Sequence, residues 1–176
     1  MKILVFLHGC TIMHKNAAGK SRGEIIKQIR EQEESVRDFA NYIPIGNAAE
    51  KLQKWSEQGA EILYLSALTE NKKARGDEIV GKEGLKADAE ILEKNHFPKG
   101  EVYHREDGES YGDIVIRVMP DVLIEDDCES IGGEIEMVSA QLGPQIKNKI
   151  KSIIVKEFVG IDHLTDDVNN LIHYAG

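Results

Sequence analysis

The chain has 176 residues, and 31 acidic against 22 basic side chains give a net charge of −9. That balance disfavours a nucleic-acid duplex as the main partner, because such affinity rests on neutralising phosphates. With 41% hydrophobic and 30% charged residues, two cysteines and no apolar run near the roughly 18 residues that span a bilayer, the expectation is one globular domain over residues 1–176, cytoplasmic and without membrane contact.

Residues 2–7 (KILVFL) form an apolar run with β-branched and aromatic members, short enough for a buried parallel strand. Met1-Lys2 before it resembles a signal core, but no small-residue cleavage site follows. Residues 8–22 show no period and read as loop. From Glu24 to Phe39, Ile25, Ile26, Ile29, Val36 and Phe39 mark one amphipathic helix, or two broken near Ser35. Asn47, with Glu50 three residues on, has the pattern of a capping box. It opens a helix whose inner face is Ala48, Leu52 and Trp55, closed by Gly59.

Residues 61–65 (EILYL) are a second strand ending at Ser66. Residues 69–86 are charged and hold three glycines, the composition of an exposed loop. Residues 87–95 read as a helix, and Val102-Tyr103 as a short third strand. Ser110 and Asp113 are spaced as a capping pair for a helix that runs to Met119, where Pro120 stops it. Residues 121–125 and 152–156 are further strands, and Thr165 is placed to cap a last helix through Val168, Leu171 and Ile172. Strands alternating with helices imply βαβ units, hence a Rossmann-like three-layer α/β fold on a parallel sheet.

The strand at Asp121-Val-Leu-Ile-Glu-Asp-Asp127 runs straight into three consecutive carboxylates, followed by Cys-Glu-Ser-Ile-Gly-Gly. In an open parallel sheet the ligand crevice lies at the carboxyl ends of the strands. Carboxylates clustered there repel one another unless a cation, a donor or water compensates them, and a magnesium ion suits oxygen ligands of this kind.

The order of these signals resembles the haloacid dehalogenase (HAD) superfamily over most of the chain. That family has a first strand ending in Asp-x-Asp-Gly-Thr, a second ending in Ser or Thr, then a basic residue at a helix start, and a strand ending in an acidic pair. Ile62-Leu-Tyr-Leu-Ser66 is similar to the second motif, which implies that the Ser66 hydroxyl donates to a phosphate. Asp121-Val-Leu-Ile-Glu-Asp-Asp127 is similar to the fourth, which implies Asp126 and Asp127 as magnesium ligands. The resemblance also implies that the Lys2 strand lies between the Asp121 and Glu61 strands. It further implies a small helical cap-like insert after the first strand, over residues 14–45.

The first motif departs from the pattern. Aligning Gly9 with the motif glycine puts Phe6 at the nucleophile position and His8 at the acid/base position; aligning Thr11 puts Leu7 and Gly9 there. No carboxylate remains in either register, and phenylalanine forms no aspartyl-phosphate. The third motif also departs, since no lysine lies between Lys99 and Lys147 and Arg117 sits far along its helix.

The candidate residues are therefore His8 and Ser66 for chemistry, Gly9, Cys10 and Ser66 for ligand contact, and Asp126 and Asp127 for Mg2+. His8 admits three roles: structural, acid/base or metal ligand. Cys10 and Cys128 read as small apolar groups lining the crevice, with thiol pKa values raised by the nearby acids. His14, His96, His104, His163 and His173 lack metal-ligand spacing and read as surface residues. The expected function is a HAD-like protein with a degenerate active site that binds a phosphorylated small molecule, Mg2+ or both without phosphatase turnover. The alternatives are a Mg2+-dependent phosphomonoester hydrolase with an atypical nucleophile, and a non-catalytic interaction scaffold.

Overall fold

The computed structural model describes residues 1–69, 82–106 and 108–175. Strand β1 (Lys2–Phe6) leads into a short β2 (Ile12–Met13), then α1 (Arg22–Arg30), α2 (Glu34–Arg37), β3 (Ile43–Pro44) and α3 (Ala48–Glu57). After them come β4 (Glu61–Thr69), α4 (Lys82–Lys94), β5 (Val102–Arg105), α5 (Tyr111–Val118) and β6 (Val122–Asp126). The remaining regular elements are α6 (Val138–Gln141), α7 (Pro144–Lys147), β7 (Lys151–Val155) and a terminal 3-10 turn, Val168–His173. Five strands form one parallel sheet in the order β5-β4-β1-β6-β7. The first strand is thus central, flanked by β6 and β4, as expected.

Alternation along β1 divides the core into two layers. Ile3, Val5 and Leu7 face Leu52 and Trp55 of α3, Ile91 of α4 and Leu171 of the terminal turn. Leu4 faces Ile114, Val115 and Val118 of α5 and Val138 and Leu142 of α6. Helices on both faces of a parallel sheet make the three-layer α/β architecture. Among the described residues, no helix is long and apolar enough to cross a membrane.

Several boundaries differ from expectation for local reasons. The first amphipathic helix starts earlier, because Ser21 and Glu24 form a reciprocal capping box, and it breaks at residues 31–33, before Ser35. Asn47 makes no side-chain cap; Asp162 instead accepts from its backbone N–H at 3.0 Å and from its side-chain amide at 3.2 Å. Ser110 and Asp113 do form the anticipated box. The last helix is a 3-10 turn whose cap is Asp167, accepting from the Asn169 N–H at 3.0 Å, not Thr165. The helix read as residues 87–95 begins at Lys82, and most of the loop anticipated at 69–86 lies outside the described residues. Trp55 is core, its indole N–H donating to the Thr165 carbonyl at 3.0 Å.

Between β1 and α3 the chain makes an excursion. Strands β2 and β3 pair antiparallel, Ile12 with Pro44 and Met13 with Ile43, and close its base. Residues 14–42 hang from that stalk, and the 3-10 turn Phe39–Asn41 packs on α4.

Candidate functional site

The carboxyl ends of the strands and the inner side of the excursion enclose a cavity of about 330 Å³. Phe6, His8 and Gly9 bring the end of β1 to it, Asp126 and Cys128 the end of β6, and Glu157 and Phe158 the turn after β7. Phe39 and Tyr42 come from the excursion, while Arg105 and Tyr111 come from the end of β5 and the start of α5.

The acidic edge is real, and it has one member more than the sequence reading named. Asp126, Asp127 and Glu157 each place a carboxylate oxygen within 4.8 Å of the others. Burial, then repulsion from Glu157, pushes the Asp126 pKa up to about 7. Burial also raises Glu157, although its carboxylate accepts from the Ser130 N–H at 2.7 Å and the Ser130 hydroxyl at 2.6 Å. Asp126 Oδ1 accepts from the Cys128 N–H at 2.9 Å, whereas no donor among the described residues reaches Oδ2.

Asp127 is engaged from the excursion. Arg22, the first residue of α1, reaches both of its oxygens at 2.8 and 2.9 Å, donates to the Glu157 carbonyl at 3.0 Å and pairs with Glu129. Arg30, at the other end of α1, donates to the Glu129 carbonyl at 2.8 Å. A planar guanidinium suits this forked arrangement. Its signal in sequence is faint, because nothing in residues 20–24 points to an acid more than a hundred positions away.

Glu125, the first acid of the run, has a structural task. Its carboxylate accepts from the Val138 and Ser139 N–H groups at 2.6 and 2.8 Å and so anchors the start of α6.

Gly9 lies at φ +83°, and a Cβ there would come within 3.0 Å of Asp126 Oδ2 and 3.1 Å of Glu157 Cγ. Only glycine lets this loop cross so close to the acidic edge. The Phe158 N–H donates to the Gly9 carbonyl at 2.7 Å and ties the two loops together.

Ser66 is not at a strand end, because β4 continues to Thr69 with a register irregularity after Leu65. Its hydroxyl is fully buried, donates to Asp88 Oδ2 at 2.5 Å and accepts from the Leu68 N–H at 3.0 Å. The proton assigned by resemblance to a phosphate therefore goes to a carboxylate of α4. His8 meets the same aspartate: Nε2 lies 3.2 Å from Asp88 Oδ1, off the axis of a hydrogen bond. The Ala67 N–H donates to Nδ1 at 3.3 Å, which places the ring proton on Nε2. Asp88 is buried and connects two of the sequence candidates.

The remaining candidates divide. Cys10 is fully buried and absent from the cavity wall, while Cys128 lines it. Both thiol pKa values are raised, first by burial and then by Asp126. His14 is not a surface residue: it is fully buried and lines the cavity. Arg117, the nearest basic residue to the third motif, pairs with Glu109 at 3.0 Å outside the cavity wall.

Comparison with protein-family models and with curated proteins finds no match. Solved structures similar to the chain include the following two. One is a Pnkp1/Rnl/Hen1 complex, with 11% identity over 89% of this chain and a TM-score of 0.49; the chain spans 46% of that protein's length. The other is a D,D-heptose 1.7-bisphosphate phosphatase from B. bronchiseptica complexed with magnesium and phosphate. It shares 13% identity over 90% of this chain and 94% of its own length, with a TM-score of 0.46.

Proposed function

We propose that the protein is a HAD-like ligand-binding domain whose active site is degenerate, and that it takes a phosphorylated small molecule without turning it over. The observation that carries this reading is the end of β1. Phe6, which the motif alignment puts at the nucleophile position, packs its ring edge-to-face on Tyr111 at 5.2 Å, and a cavity of about 330 Å³ stays open beside it. A bound ester without a nucleophile gains little, because equal binding of substrate and transition state does not accelerate chemistry. Ser66 and His8, both held against Asp88, act as positioning groups in the wall in this reading. Residues 14–45 serve as the cap that roofs the ligand.

Asp126, Asp127 and Glu157 fit a Mg2+ ion in donor type, all being carboxylate oxygens within 4.8 Å. Arg22 already occupies both oxygens of Asp127, so the ion has to displace an internal cation and binds weakly. When bound, it would offset the mutual repulsion of the three carboxylates.

The test is a metal-supplemented phosphatase screen of the wild type and of a Phe6→Asp/His8→Asp double variant, alongside calorimetric titration with phosphate esters. Binding without turnover by the wild type is expected. Robust Mg2+-dependent hydrolysis by the wild type would instead establish the hydrolase with an atypical nucleophile.

A further inference from the structure

The cavity wall has a chemistry of its own, apart from the acidic edge. Phe6 and Tyr111 form one ring pair, and the Arg105 guanidinium lies 4.3 Å from the Tyr111 ring centroid. From the excursion, Phe39 and Tyr42 pack with His8, with centroids 5.4–5.9 Å apart, and line the same cavity. Rings of both groups offer edges and faces that favour a planar partner over a puckered, hydroxylated one.

His14 adds a directional feature. The Gln28 side-chain amide donates to Glu33 at 2.8 Å, which fixes its nitrogen and leaves its oxygen facing His14 Nε2 at 3.1 Å. Nε2 must then carry the imidazole proton, and Nδ1 is a bare acceptor. That nitrogen is buried with no hydrogen-bond partner, on a fully buried side chain that lines the cavity. A buried acceptor without a donor is costly, and a ligand N–H would satisfy it. Burial also lowers the His14 pKa, in keeping with a neutral ring.

We propose that the ligand is a mononucleotide: a planar heteroaromatic base between the two ring groups, an N–H of that base on His14 Nδ1, and a phosphate on the side of Arg37 and Arg105. Those two arginines are the basic side chains other than histidine in the described cavity wall. The volume of about 330 Å³ lies at the small end of the roughly 300–1,000 Å³ typical of small-molecule sites, which suits one nucleotide. This inference deepens the proposed function and rests on its claim that the cavity takes a phosphorylated molecule.

The experiment titrates the full chain with adenosine 5′-monophosphate, adenosine and ribose 5-phosphate by NMR and calorimetry, and repeats it with Phe39→Leu and Arg37→Gln. The nucleotide should bind at least tenfold more tightly than ribose 5-phosphate, and the His14 Nδ1 resonance should move away from that of a bare imidazole nitrogen. Phe39→Leu, with unchanged circular dichroism, should weaken nucleotide binding at least fivefold. Arg37→Gln should weaken binding of the nucleotide but not of adenosine. Ribose 5-phosphate binding as tightly as the nucleotide would overturn the aromatic assignment and leave the proposed function standing. Binding of neither phosphate would overturn both.

Discussion

Replacing Asp126 with asparagine should stabilise the protein above neutral pH. The Asp126 pKa rises from 3.8 to about 7 through burial and then repulsion from Glu157, so the folded state holds this proton more tightly than the unfolded chain does. Stability is therefore lost as pH climbs from about 4 to about 7, and the deficit is complete above that range. At about 1.4 kcal/mol for each factor of ten, the full rise corresponds to about 4 kcal/mol at most. Partial water access and relaxation of the cluster bring the expected gain to about 2–3 kcal/mol. Asparagine keeps an oxygen for the Cys128 N–H, now at 2.9 Å from Oδ1, and removes the charge facing Glu157. Urea unfolding of both proteins at pH 5 and pH 8 is the assay. The variant should match the wild type within about 1 kcal/mol at pH 5 and exceed it by about 2–3 kcal/mol at pH 8. A variant no more stable than the wild type at pH 8 would refute the claim that Asp126 is held at an energetic disadvantage.

Further outcomes follow from neighbouring features. Gly9→Ala combines a left-handed backbone at φ +83° with a Cβ 3.0 Å from Asp126 Oδ2, and should cost about 2–3 kcal/mol in thermal or urea unfolding. Arg22→Gln should cost about 1–2 kcal/mol, discounted for the partial exposure of its ion pairs, and the loss should shrink in high salt. Calorimetry on the same variant should show tighter Mg2+ binding than the wild type; equal affinity would deny that Arg22 competes for Asp127. Alkylation of the denatured, unreduced protein should add two groups by mass, because Cys10 and Cys128 are both free.

The sheet was legible because β1, β4, β6 and β7 each carry a short apolar run between polar segments. The crevice position of Asp126, the last residue of β6, and of Gly9, three residues past β1, was legible for the same reason, since strand ends fall at the crevice. The same logic reaches Glu157, two residues past the end of β7. Asp88 and Arg22 were not legible. Each lies on a helix whose inner face is ordinary, and its partner is fixed by tertiary packing rather than by spacing. His14 misled because a lone histidine in a polar loop reads as solvated, whereas the stalk turns it inward beside Gln28.

The two-stranded stalk also bears on how this molecule can change. Because Met13 and Ile43 are paired neighbours, the chain departs and returns at one point, and the sheet is indifferent to the length of what lies between. Lengthening such a loop is inexpensive, about 0.6 kcal/mol per doubling. Residues 14–42 are thus an exchangeable module: a lineage could trade them for another sequence, and with them the rings and the guanidinium fork they bring, while β1 and its neighbours stayed as they are.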